Sequence, residues 1–201
     1  MLLILLSWIY ILFTTLNLGC FLDKILGLKV KNFAVISILG LFLTTIITSF
    51  WAIIGRINFE FHIAILLLNI TLFLSNKIAI LSIYRNFYNE IKNLEKSLKI
   101  FLGIITFFII AQCASVPYAI DNESYYIQSI KWINEFGFVK GLANIHFFLG
   151  QTSGWHVTQS AFNFSFLYDK FNDLSGFCLL LGNIFAIQKL NDYFKNHDKT
   201  K

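Results

Sequence analysis

Residues 33–55, FAVISILGLFLTTIITSFWAIIG, are long enough to cross a bilayer and hold no charged side chain. A helix advances ~1.5 Å per residue, so about 20 apolar residues cross the ~30 Å hydrocarbon layer. No water satisfies a backbone amide at that depth, and a helix is how one segment can pair all its own amides. Four further runs have the same character. The first covers 2–22. The third covers 61–84 and is interrupted by Asn76 and Lys77, so its C-terminal end is expected to run out into the interface. The fourth, 97–116, is closed by Pro117, the only proline in the chain. The fifth, SGFCLLLGNIFAIQKL at 175–190, is the shortest. Charged residues make up 13% of the chain, against ~25% in soluble domains. That is too little charge to cover a water-facing surface, and the mean hydropathy of +0.68 agrees.

The expected fold is therefore all-α: a polytopic transmembrane helix bundle of about five spans, with amphipathic juxtamembrane helices in one outer loop. Residues 1–116 hold the first four spans, 117–174 the loop, and 175–201 the fifth span and a tail. The opening MLLILLSWIY lacks a basic leader and a small-x-small cleavage site, so it reads as a retained span. Between spans three and four, YRNFYNEIKNLEKSLK reads as a short solvated helix, with Glu95 and Lys99 at favourable i,i+4 spacing.

A formal charge of +5 could suggest nucleic acid, but the lysines flank spans and form no compact basic domain. They fit topology signals and anionic lipid, so the bilayer is the expected partner and no nucleic acid is. If the loop between the first two spans is cytoplasmic, twelve lysines and arginines lie inside. Four lie outside: Arg56, Lys131, Lys140 and Lys170. That asymmetry puts the N-terminus outside, residues 117–174 on the extracytoplasmic face and the C-terminus in the cytoplasm. Cys20, Cys113 and Cys178 each fall in or beside a span. With no CxxC or Cys/His spacing they suggest packing rather than a zinc site or disulfide framework.

The outer loop is where polar residues concentrate. Tyr126, Ile127, Ile130, Ile133 and Phe136 recur at helical spacing, with Gln128, Ser129, Lys131 and Asn134 on the other side. A surface helix ending at Gly137 follows, with Trp132 as an interfacial anchor and Asp121 and Asn122 in N-cap position. TSGWH is expected to cap a second helix running to Tyr168, with Phe162, Phe166 and Leu167 on its apolar face. The intervening VKGLANIHFFLGQ holds two glycines and cannot be regular helix throughout; it is expected to fold back on the bundle.

Asp121 has two readings: a helix cap, or a carboxylate acting as general base or, with Glu123, as part of a divalent-cation shell. His146 and His156 match no zinc spacing; each is an interface hydrogen-bonding group or a phosphate contact that could carry a partial charge. Lys131 and Lys140 suit lipid phosphate or a lipid-linked phosphate. Tyr125, Tyr126, Trp132 and Trp155 suit either an interfacial belt or a platform for stacking sugars. No nucleophile elbow, P-loop or HExxH pattern occurs.

The motifs DNESYYIQSIKWI, VKGLANIH and GQTSGWH, in that order, resemble the first large outer loop of a family of bacterial polytopic membrane proteins similar to GT-C glycosyltransferases. The resemblance covers about residues 117–180. It implies an inner-membrane enzyme that uses a polyprenyl-phosphate sugar at the outer face and relies on an acidic residue in this loop. Asp121 falls on that acidic position and Tyr125 on the tyrosine of a Tyr-His pair. Tyr126 stands where histidine is expected, and Asn144 and His146 fall on a GL-N-H turn. Asp121 would then deprotonate an acceptor hydroxyl or position a divalent cation. Lys131, His146 and His156 would steady the leaving phosphate. Glu123, Tyr125, Tyr126, Trp132, Asn144 and Trp155 would hold substrate. Such enzymes have more spans than this chain supplies, so the chain is expected to be an N-terminal portion. A reading of another class is a non-catalytic partner of a polysaccharide polymerase or flippase, its outer loop docking a second membrane protein.

Overall fold

A computed structural model describes residues 2–115, 121–164 and 173–198. Among these there is no strand, and the fold is an all-α transmembrane bundle. Its elements are α1 (Leu2–Leu26), α2 (Phe33–Ile54), α3 (Phe59–Lys92) and α4 (Lys96–Ala114). A π-turn (Asn122–Tyr126) leads into α5 (Ile127–Phe136). Then come α6 (Leu142–Ile145), a 3-10 turn (Phe147–Gly150), α7 (Gly154–Ala161) and α8 (Asp173–Asp198). Five of these helices, α1, α2, α3, α4 and α8, are long and apolar enough to cross a membrane.

The centre of the bundle is the α1–α2 hairpin, and its closeness follows from small residues. Gly19 lies against the Ile36 main chain and Gly40 against that of Thr15, with no room for a Cβ at either place. Thr15 and Gly19 on one helix, Gly40 and Thr44 on the other, are each four residues apart, the spacing that lets two membrane helices approach backbone to backbone. The hydroxyls on α2 turn inward on their own helix: Ser37 donates to Phe33 O, Thr44 to Gly40 O and Thr48 to Thr44 O. None is left facing hydrocarbon. Asp23 Oδ1 accepts the Val30 N–H at 2.9 Å, and Asn32 Oδ1 caps α2 through the Ala34 and Val35 N–H groups.

α3 runs parallel to α1, and the two share a polar ladder in steps of seven residues. Tyr10 meets His62, with ring centroids 6.2 Å apart. Fourteen residues on, the Lys24 ammonium donates to Asn76 Oδ1 at 3.3 Å. Both pairs have the same offset, and midway between them stand Asn17 and Asn69, each fully buried. Seven-residue spacing keeps one face of each helix on the seam. α3 has 34 residues, about 51 Å of helix against ~30 Å of hydrocarbon. It breaks from helical geometry at Asn76 (φ −124°, ψ 22°), the interruption visible in the sequence, and then continues to Lys92.

α8 closes the bundle against α4 and α1. Trp8 Nε1 donates to Asp173 O at 2.8 Å, and Gly176 packs against Cys113 Sγ with no space for a side chain. At its far end Gln188 accepts from Asn32 (3.3 Å) and donates to Glu90 (2.7 Å), while Lys195 donates to Asn93 O (2.7 Å). The two ends of the bundle thus differ. One carries α5–α7; the other gathers Lys24, Glu90, Lys189 and Lys195. The outward faces of α3 and α4, with Phe107, Phe108, Leu67 and Leu74 exposed, are apolar and suit lipid.

Three expectations are corrected. The charged segment 84–99 is no separate helix: α3 continues to Lys92, and α4 begins at Lys96. Glu95 occupies the α4 N-cap, and Lys99 donates to Lys92 O (2.6 Å) rather than pairing with Glu95. α7 ends at Ala161, short of Phe166, Leu167 and Tyr168, which lie outside the described residues. The fifth span is longer than 175–190, because α8 carries on through polar residues to Asp198.

Candidate functional site: an outer-loop cleft

α5 is seated on the end of α2 by hydrogen bonds as well as by the buried Ile130 and Ile133. Phe138 N–H donates to Ala52 O (2.7 Å) and Ile57 N–H to Ile133 O (3.2 Å). Gly137 ends α5 at φ 73°, ψ −148°, a region open to glycine, and a Cβ there would lie 2.5 Å from both Ala52 O and Gly55 O. Asn134 is the hub of this junction. Its amide donates to Ile57 O (2.7 Å) and Ser160 O (2.9 Å), and its carbonyl accepts from Asn163 (2.7 Å). The predicted faces of α5 are therefore rotated: Ser129 and Asn134 are buried with Ile130 and Ile133, while Phe136 is exposed. Burying the Ile57 and Ser160 carbonyls without partners would cost more than burying one fully satisfied amide.

α7 docks on α2, where the Thr45 and Thr158 hydroxyls meet at 2.5 Å. Its start has the expected cap. Ser153 Oγ accepts the His156 N–H (3.4 Å), and His156 Nδ1 accepts the Ser153 N–H (3.1 Å). That second bond puts the imidazole proton on Nε2. Burial holds the His156 pKa below its usual value, and with Nδ1 occupied the ring presents Nε2–H as its donor.

Between the π-turn, α5, α7 and the start of α8 lies a cleft of about 500 Å³. Tyr126, Trp155 and His156 line it, joined by Asn122, Ile127, Ile130, Gln151, Ser153, Gln159 and Ser175. The Tyr126 and His156 rings are 5.3 Å apart. From Tyr126 a row of rings continues through Tyr125 (4.3 Å) and Phe148 (4.9 Å, stacked) to His146 (5.6 Å). A hydrogen bond with Tyr126 pushes the Tyr125 phenol up to about 12, so it stays protonated.

The structure thus gathers Tyr126, Trp155 and His156 in one place, with Tyr125 and His146 along the adjoining row. Asp121 is exposed, immediately before cleft residue Asn122. It has helical φ/ψ and makes no side-chain cap bond, which corrects the N-cap reading and leaves its carboxylate open to solvent. Glu123 falls within the π-turn, and its side chain lies outside the described residues. Three further expected residues are neither in the lining nor in the row of rings. Lys131 is exposed on α5; Trp132 packs on Phe136 (centroids 5.0 Å); Asn144 is exposed on α6, its N–H bonded to Gly141 O (2.9 Å). Among the described residues no group of three or more His, Cys, Asp and Glu is placed to hold a metal. Asn122, Gln151, Gln159 and Ser175 were missed by sequence reasoning. Amides and hydroxyls in a polar loop carry no spacing signal, and Ser175 joins the site only because α8 starts beside α7, where Gln159 Nε2 donates to Ser175 Oγ (3.2 Å).

This architecture, an apolar helix bundle with a folded polar segment seated on one end, defines an integral membrane protein of the all-helical class. The whole chain, residues 1–201, matches a family model described as Domain of unknown function (DUF8201), and the protein belongs to that family. No curated protein and no solved structure matches the chain.

Proposed function

We propose that the protein acts in GT-C-like membrane glycosyl transfer, moving a sugar from a polyprenyl-phosphate donor in surface polysaccharide or glycolipid assembly. The observation that carries this reading is the cleft: two aromatic side chains, Tyr126 and Trp155, face amides and hydroxyls beside an exposed carboxylate at Asp121. Aromatic faces with a few convergent polar groups suit a sugar ring at a membrane surface. The distribution of basic residues supports an extracytoplasmic position for the loop end in the bacterial inner membrane, with the N-terminus outside and the C-terminus inside. In this reading Asp121 takes the proton of the acceptor hydroxyl as the sugar's anomeric carbon leaves the donor phosphate, or positions a divalent cation there. Lys131 and Lys140, both exposed, remain within the same segment to meet phosphate.

Asp121→Asn tests the base. It removes the charge at an exposed position without loss of a cap bond, so protein level and thermal stability are expected to stay as in the wild type. Surface glycan made by cells carrying the variant should fall about 10²–10⁴-fold, the worth of a positioned general base. Unchanged glycan with normal protein level would refute the catalytic role and favour the second reading, a polymerase or flippase partner docking through this loop. The wide apolar faces of α3 and α4, where further helices could pack, are the feature on that side.

A further inference from the structure

Among the described residues, the ten that line the outer cleft include no acid, lysine or arginine. Their polar groups are the amides of Asn122, Gln151 and Gln159, the hydroxyls of Ser153, Ser175 and Tyr126, the Trp155 indole and the His156 imidazole. His156 is 6% exposed and held through Nδ1 by the Ser153 N–H, so it offers the cleft an Nε2–H donor rather than a positive charge. Against these groups a phosphate or carboxylate would exchange water for neutral partners, which is expensive without a fixed cation. A sugar hydroxyl both donates and accepts, as amides and hydroxyls do, and its ring presents apolar C–H faces to aromatic side chains. About 500 Å³ lies within the range of small-molecule sites.

We infer that this cleft is a subsite for an uncharged sugar ring, and that the phosphate of a lipid-linked donor binds outside it. The inference rests on the transferase reading above and sharpens it, because it removes His156 from the phosphate contacts and separates the sugar position from Lys131 and Lys140.

The test uses the full chain in lipid nanodiscs, with three probe sets: neutral hexose and N-acetylhexosamine oligosaccharides, hexuronic acids, and hexose 1-phosphates. Saturation-transfer NMR and Trp fluorescence report binding. At least one neutral probe should bind, with an affinity that rising salt leaves unchanged. Trp155→Ala should weaken it about tenfold, one contact of ~1.4 kcal/mol. Trp155→Phe, which keeps a ring, should weaken it less. Thermal unfolding of both variants checks folding, since Trp155 is 43% exposed and still packs part of its ring. A short-chain polyprenyl-phosphate sugar then separates two sources: competition with the neutral probe marks the cleft as holding the donor's own sugar, and additive binding marks the acceptor.

Tighter binding of the uronic acids or hexose phosphates, weakened by salt, overturns the inference and leaves the transferase reading standing. Absence of binding by every neutral probe also overturns it. Failure of the transferase reading is seen separately, as unchanged surface glycan in Asp121→Asn cells.

Discussion

Gly40→Leu is expected to abolish accumulation of the folded protein in the membrane. A Cβ at position 40 already falls on the Thr15 carbonyl and lies 2.5 Å from its carbon, and these are backbone atoms that cannot rotate away. The central hairpin would have to part by several ångströms, and α3 and α8 both lean on α1. Overpacking a core costs about 1–3 kcal/mol when neighbours can shift, and more where backbone meets backbone. Gly40→Ala should show a smaller loss of the same kind, since the clash begins with the Cβ. Gly103→Ala and Gly182→Ala serve as controls. Both are helical glycines with nothing within 4 Å of an added Cβ, so each should be tolerated or gain about 0.5–1 kcal/mol. Fluorescence-detected size exclusion of the solubilised variants reads the outcome. A monodisperse Gly40→Leu protein at wild-type level would mean that the hairpin is not packed as described.

Gly137→Ala should release the outer segment while leaving the spans in place. The substitution meets two separate obstacles: a φ of 73° with ψ −148°, worth ~1–3 kcal/mol, and a Cβ 2.5 Å from the Ala52 and Gly55 oxygens. Relief of that contact breaks the Phe138–Ala52 bond and with it the alignment of Asn134 on Ile57 and Ser160. The sum, about 2–6 kcal/mol, is comparable to what a small docked segment can supply. Limited proteolysis of spheroplasts should then cut between residues 125 and 160 in the variant and spare the wild type. Equal resistance in both would show that Gly137 is not under the strain its geometry implies.

The spans were legible because the bilayer imposes length and apolarity, and each of the five came within a few residues of its expected start. Their ends were less so. α3 and α8 run on through charged residues, since helical hydrogen bonding continues after the apolar pattern stops. The seating of α5 could not be read from periodicity. Asn134 is polar and was placed on the outer face, yet it is buried because the carbonyls it satisfies belong to Ile57 and Ser160, far away in sequence. The α1–α3 ladder was present in plain form, with Tyr10, Asn17 and Lys24 seven apart and His62, Asn69 and Asn76 seven apart. Recognising it required knowing that the two helices are parallel neighbours. At the site, the aromatic and histidine signals led to Tyr126, Trp155 and His156, while Lys131, Trp132 and Asn144, chosen for residue type, fell outside the lining.

The measurement that bears most directly on the account is the side of the membrane on which the cleft opens. Gln151 is exposed and lines it, and the native Cys20 and Cys113 are buried. Gln151→Cys in intact cells should react with a membrane-impermeant maleimide as fully as it does after permeabilisation, and a neutral oligosaccharide that binds the cleft should slow the reaction. Labelling that occurs only once the cells are permeabilised would put the cleft in the cytoplasm and contradict sugar transfer at the outer face.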